Sequence, residues 1–357
     1  MADGLDLRLE ALSPEAPPAR VETASVTSVA GGQLSADERL ALDPTRLLAD
    51  AAATDAFTRF VGRLRALRFD GRSLEPSADE PEAPTLADLA RGGILDEEAV
   101  RRALGPDDVD ALVGAHAVYV QGGNAALTAK LFPMRSVYTV LPRPRLGADI
   151  VYLGPDSICL LDVVWSARGF GDRAADLGTG NGFLGAALAT RYDHVVAADL
   201  SARCAATAAL VPVLNPQLRG RFSSIVADVA AGLEPGTFDL VTANAPWVPE
   251  APDPDGTGLR RFAAGGPTGF ELPRRFLDEA AALLTAGGRA FVACSDLTFE
   301  DGRRPLADHV EVLRDRGCAV ELVETAINQR HDFGEWAARK APGAVAARHV
   351  VVSLTRA

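Results

Sequence analysis

Long apolar runs are missing from this 357-residue sequence; none approaches the roughly 18 residues that a membrane-crossing helix needs. Its first residues, MADGLDLRLEALSPEAPPAR, mix acids with bases and hold no apolar stretch of signal-peptide type. A cytoplasmic location with no membrane partner is the resulting expectation. Cysteine is scarce, and Cys159, Cys204, Cys294 and Cys318 lie far apart, with no CxxC pair. Each sits in an apolar segment, which points to buried free thiols. The five histidines are scattered, and no HxxxH or HExxH occurs, so no metal site is expected. Positive charge is also in deficit, at a net −12. Nucleic acid is held largely through phosphate neutralisation, so this balance disfavours it as a partner. The short basic pairs (Arg143 with Arg145, Arg260 with Arg261, Arg274 with Arg275, Arg303 with Arg304) read as solvated faces.

What is present is an apolar fraction of 48%, the composition of a globular protein, at a length that favours two domains. Residues 1–45 are rich in Pro, Ala, Ser and Glu and are expected to form a flexible leader. Apolar residues three and four apart predict an amphipathic helix over 45–68. An acidic, proline-containing connection follows at 72–84. The segments LADLA, DEEAVRRAL and DDVDALVG predict short helices, with Asp96 and Pro106–Asp107 as start signals. AVYVQ, SVYTVLP and DIVYL alternate like strands. Residues 46–150 thus resemble a winged-helix-like module, with a role as lid, dimerisation or substrate-recognition domain left open.

From residue 151 to 357 strand and helix patterns alternate, the sign of a doubly wound α/β domain with a mostly parallel, seven-stranded sheet. DRAADLG, HVVAADL, RFSSIVADV, FDLVTANAP and RAFVACSD predict five strands with helices between them. CAVELVE and RHVVVSLT, with no crossover helix between them, suit a terminal hairpin. Gly287–Gly288 is expected to cap the long helix before RAFVACSD.

The densest motif is Asp176-Leu177-Gly178-Thr179-Gly180-Asn181-Gly182. Its glycines let a strand turn sharply into a helix and let a ligand approach bare backbone N–H groups. Asp199, ending the next strand, is spaced to accept ribose hydroxyls. Asp228, ending the third, could lie beside an adenine ring or cap a helix. Gly180, Gly182 and Gly185 also satisfy GxGxxG, so a dinucleotide is the competing ligand. Against it, Asp176 would repel a pyrophosphate and attract the ammonium of an amino-acid-bearing cofactor.

The ordered set DLGTGNG, AADL and NAPW resembles the class I methyltransferases that use S-adenosylmethionine, over about 200 residues from Val151 onward. The resemblance implies that Asp176, Gly178, Thr179, Gly180, Gly182 and Asp199 hold that cofactor, with Asp228 and Asn244 beside it. Asn244-Ala245-Pro246-Trp247 is similar to the [ND]-P-P-[YFW] tetrad of enzymes that methylate planar nitrogen. A conjugated amine is a poor nucleophile. The Asn244 side-chain oxygen and the carbonyl of residue 245 could accept its hydrogens and aim its lone pair at a methyl group. Pro246 would stiffen the loop, and Trp247 would offer a face to a flat or cationic acceptor. Alanine at 245 departs from the family's proline but keeps the carbonyl.

RRFAAGGPTGFELPRRFLDEA and DIVYLGPDSICLLDVV resemble the branch that methylates the glutamine N5 of release factors. Gly154–Pro155 stands where that branch has Pro-Arg. The expected function is therefore methylation of a peptide, protein amide or amine, or small-molecule amine. A base methyltransferase on RNA or DNA and a non-catalytic binding module are the alternatives.

Overall fold

The computed structural model describes residues 42–71, 81–142, 151–167, 169–249, 263–329, 335 and 339–357. Residues 1–41 of the expected leader, the connection at 72–80, and Arg143, Arg145, Arg260 and Arg261 lie outside these.

The N-terminal module opens with α1 (Pro44–Ala49) and α2 (Ala51–Ala66). The helix expected over 45–68 is thus two. Asp43 caps the first, accepting the Thr45 N–H at 3.1 Å, and Asp50 caps the second, accepting that of Ala53 at 3.0 Å. Asp50 is extended, which breaks the helical hydrogen-bond run between them. Phe57, Phe60, Val61 and Leu64 form the buried stripe of α2, at the spacing its sequence implied. Three short helices follow, α3 (Ala83–Ala90), α4 (Glu97–Leu104) and α5 (Pro106–Gly114). Asp96 caps α4 through the Ala99 N–H at 2.9 Å, as expected.

Strands β1 (Ile94–Asp96), β2 (Val118–Gln121) and β3 (Asn124–Leu127) make an antiparallel sheet in the order β1-β3-β2. A hairpin of β4 (Ala129–Met134) and β5 (Val137–Pro142) completes the module. DIVYL is not a strand in its described part. Residues 151–153 run irregularly, with Val151 and Leu153 buried, into α6 (Pro155–Ser166).

The C-terminal half contains β6 (Gly171–Leu177), α7 (Phe183–Leu188), β7 (Tyr192–Asp199), α8 (Ala202–Ala208), α9 (Val211–Leu214) and β8 (Phe222–Val226). Then come β9 (Phe238–Asn244), the short pair β10 (Val248–Pro249) and β11 (Ala264–Gly266), and α10 (Glu271–Leu283). The chain ends with β12 (Leu284–Phe299), α11 (Pro305–Asp315), β13 (Cys318–Glu324) and β14 (Ala344–Arg356). Seven strands form one sheet in the order β13-β14-β12-β9-β6-β7-β8. β12, β9, β6, β7 and β8 run parallel, and β14 is antiparallel to both its neighbours. Helices α10 and α11 bury Phe276, Leu277, Leu306 and Val310 against one face, and α6 to α9 bury Leu160, Phe183 and Val211 against the other. Gly287 has φ +77° at an irregularity in β12, while α10 ends four residues earlier at Leu283, so the glycine pair shapes the strand's start and does not cap the helix.

The two halves share a junction at Asn215, which is fully buried. Its Oδ1 accepts the Tyr138 N–H at 2.8 Å and an Arg65 N–H at 3.0 Å. Its Nδ2 donates to the Tyr138 carbonyl at 2.7 Å and the Val211 carbonyl at 2.8 Å. Leu210 and Leu214 of the C-terminal half pack into the core of the N-terminal module.

Candidate active site

Strand order reverses at β6, with β7 and β8 added on one side and β9 and β12 on the other. In open α/β sheets the crevice at the carboxyl ends beside such a switch is the place for ligands. Register brings the expected groups there: Asp176 pairs with Ala197 and Thr242, and Asn244 ends β9 beside Ala293. A cleft opens at this edge, lined by Gly178, Thr179, Gly180, Asp199, Asp228, Asn244 and Pro246, among others.

The glycine loop turns through left-handed backbone at Gly178 (φ +66°), Gly180 (φ +59°) and Gly182 (φ +78°). A β-carbon on Gly180 would stand 3.2 Å from the Tyr152 carbonyl, and one on Gly182 2.9 Å from Val211. Glycine is therefore needed for conformation and for space at both positions. The Gly180 N–H donates to Asp199 Oδ2 at 2.9 Å, and the Ser201 N–H to Oδ1 at 2.8 Å. Those two bonds fix the Asp199 carboxylate at the cleft wall. A carboxylate has about four lone-pair directions, so it can brace the loop and still face a ligand.

Asp176 is placed differently from its expected role. It is fully buried behind the loop and is not among the residues lining the cleft. Its Oδ2 accepts the Thr179 hydroxyl at 2.6 Å and the Gly185 N–H at 3.0 Å, and its Oδ1 accepts the Thr242 hydroxyl at 2.9 Å. Burial, against the pull of these donors, raises its pKa to about 6. Asp176 ties β6, β9 and α7 together and so shapes the loop from within.

Asp228 is exposed at the cleft rim and pairs with Arg275 at 2.8 Å. The residues after it form turns, so the helix-cap alternative has no helix to cap. Neighbouring Val229 holds φ +54°, a strained backbone for a β-branched residue, in the same wall.

In the tetrad, Asn244 is half-buried and its Nδ2 donates to Ser157 Oγ at 2.9 Å. Its Oδ1 is shielded from solvent and accepts no hydrogen bond among the described residues. Ala245 is buried in the core, and Pro246 faces the cleft. Trp247 does not line the cleft; its indole lies edge-on to His349, with ring centres 5.4 Å apart. The rigidity that proline would give at 245 comes from packing: a β-carbon on Gly265 would lie 2.7 Å from Trp247 Cα and 2.9 Å from the Pro246 carbonyl. The β10–β11 pairing holds that contact in place.

Sequence reasoning passed over Ser157, Asn181 and the apolar wall of Leu200, Leu272 and Phe276. A Pro-Asp-Ser helix start carried the only signal for Ser157. Among the described residues no cluster of His, Cys, Asp or Glu could hold a metal, and no helix is long and apolar enough to cross a membrane. Cys204, Cys294 and Cys318 are buried free thiols, and Cys159 is half-buried.

Residues 155–316 match the family model described as methyltransferase small domain. That stretch is less than half of the chain. No curated protein shows a significant match to the sequence. Among solved structures, an M. jannaschii tRNA methyltransferase is similar at 13% identity and a TM-score of 0.42, covering 64% of this chain and 57% of that one. P. horikoshii TYW2, solved with MeSAdo, shares 15% identity at a TM-score of 0.41, over 64% of this chain and 71% of its own. An E. cuniculi complex responsible for methylation of the eRF1 translation termination factor shares 20% identity at a TM-score of 0.37, over 58% and 99%. Likeness at this level carries nothing about substrate or partner.

The cleft fits S-adenosylmethionine by its own chemistry. It offers a carboxylate at the loop, apolar walls at Leu200, Val229 and Phe276, and an open backbone turn where β-carbons would intrude. Among the described residues no Lys or Arg lines it directly, and Arg275 is engaged by Asp228 at the rim.

Proposed function

We propose that the protein methylates a planar nitrogen of an amide or amine in a peptide, protein or small molecule. One observation carries this reading: the buried Asn244 Oδ1, at the cleft edge, has no donor among the described residues while its amide nitrogen is held by Ser157. A buried acceptor left without a donor costs about 1–3 kcal/mol, and an incoming N–H is the group that would satisfy it.

S-adenosylmethionine supplies the electrophilic methyl group when bound. Asp199 would hold its ribose, Asp228 and the wall at Leu200 and Val229 its adenine, and the Gly178–Gly182 loop its amino-acid end. Asn244 Oδ1 accepts a hydrogen of the acceptor nitrogen and draws its lone pair out of conjugation. That bond strengthens as positive charge develops on the nitrogen, so its contribution falls mainly on the rate. Pro246 and the packed Gly265 keep the acceptor loop from yielding, and the apolar wall keeps water from competing. The net charge of −12 favours a peptide or small-molecule acceptor over RNA or DNA.

The test is to incubate the purified protein with cell extract and S-adenosylmethionine carrying an isotopically labelled methyl group, then locate the label by mass spectrometry. Label on an amide or amine nitrogen is expected. Label on oxygen, carbon or sulfur, or none, would overturn the proposal, and label confined to nucleic acid would replace the acceptor class.

A further inference from the structure

Asn244 can present its oxygen to an acceptor only if its carboxamide is kept from rotating, and the means of doing so lies on another element. Ser157, in the first turn of α6 and 6% exposed, receives the Asn244 Nδ2–H at 2.9 Å. The Ser157 N–H is itself bound by Asp156 Oδ1 at 2.9 Å, and the same oxygen accepts the Tyr152 hydroxyl at 3.0 Å. Asp156 is nearly buried, so these bonds are made out of water. Gly154 leaves room for this knot, since a β-carbon there would overlap the Tyr152 hydroxyl. That accounts for glycine at 154 in physical terms.

We infer that Ser157 is a positioning residue for methyl transfer, fixing the rotamer and amide orientation of Asn244 so that Oδ1 faces the acceptor. The inference rests on the role proposed above for Asn244. Ser157 does not itself meet the transferred methyl group; it removes the freedom of the residue that orients the acceptor. Rotation of an unheld carboxamide would present Nδ2, a donor, to an acceptor nitrogen that needs a hydrogen-bond acceptor. Tyr152 links the same knot to the cofactor loop, because its carbonyl stands where a Gly180 β-carbon would reach.

The experiment measures label transfer from S-adenosylmethionine, with cell extract as the acceptor source, for wild type, Ser157→Ala, Ser157→Thr, Asn244→Ala and the Ser157→Ala/Asn244→Ala double variant. Cofactor affinity is followed by calorimetry alongside. Ser157→Ala is expected to slow transfer about tenfold, the worth of one lost hydrogen bond, with cofactor affinity unchanged. Ser157→Thr keeps the hydroxyl and is expected to stay near wild type. In the Asn244→Ala background the serine change is expected to add nothing, because the group it positions is gone. If Ser157→Ala is poorly folded, Ser157→Cys keeps the volume with a weak acceptor and is expected to show the same loss.

Wild-type transfer by Ser157→Ala beside a slow Asn244→Ala would overturn the positioning role and leave the planar-nitrogen reading intact. An equal loss in both backgrounds would also overturn it. Wild-type transfer by Asn244→Ala would overturn the reading on which it rests.

Discussion

Asn181, within the glycine loop, donates its side-chain amide to the carbonyl of Val140 in β5 at 3.1 Å. The last strand of the N-terminal module thus holds the glycine loop from behind, with Thr139 Oγ1 at 3.3 Å as a second partner. Asn181→Ala leaves the buried Val140 carbonyl without this donor and should cost about 1–3 kcal/mol of stability. Urea unfolding measures it, and the loss should come with weaker S-adenosylmethionine binding. Unchanged stability would mean that water replaces the amide at no cost.

Asn215 welds the same two halves farther from the cleft. Replacing it by alanine strands the Tyr138 N–H and carbonyl together, and about 2–6 kcal/mol should be lost for two such groups. Calorimetric unfolding of the wild type should show one transition, because the core of the N-terminal module includes Leu210 and Leu214. Two separate transitions would contradict a shared core.

Asp199→Ala should weaken S-adenosylmethionine binding by about 1–3 kcal/mol, through lost charge-assisted bonds and a loosened Gly180. Titration calorimetry gives the number. An affinity equal to wild type would remove Asp199 from the ribose site.

Asp176 makes a pH prediction. Its pKa is raised to about 6 by burial, against about 3.9 in an unfolded chain. Between those values the folded state holds a proton that the unfolded state has released. The group's contribution to stability is therefore full below about pH 4 and lost as pH rises through about 6. Two units correspond to about 3 kcal/mol. Asp176→Asn does not titrate there, so the wild-type advantage over it should shrink by about that amount from pH 4 to about pH 7. A pH-independent difference would contradict the raised pKa.

The sheet was legible because its strands are apolar and separated by helices of ordinary period. The hairpin of β13 and β14 followed from the absence of a crossover helix. Strands β1 and β3 escaped notice because three or four residues such as Asn-Ala-Ala-Leu carry no alternation, and Asp96 serves both as strand end and helix cap. DIVYL alternates like a strand, yet its described residues pack into α6 and find no sheet partner. At the site, the positions of Asp199 and Asn244 could be read from strand ends. The burial of Asp176 could not, since one residue of register decides whether a carboxylate faces the cleft or the core. Ser157 is 87 residues from Asn244 in sequence, and only the packing of α6 on β9 joins them.

The most direct measurement compares Asn244→Ala with wild type in cofactor binding and in transfer of a labelled methyl group to cell extract. The account predicts nearly unchanged affinity for S-adenosylmethionine and transfer slowed by about 100-fold or more, on the order of 2.7 kcal/mol of transition-state stabilisation. Transfer at the wild-type rate would contradict it. The acceptor would then be one that needs no orienting oxygen, and Asn244 would hold the loop without taking part in the chemistry.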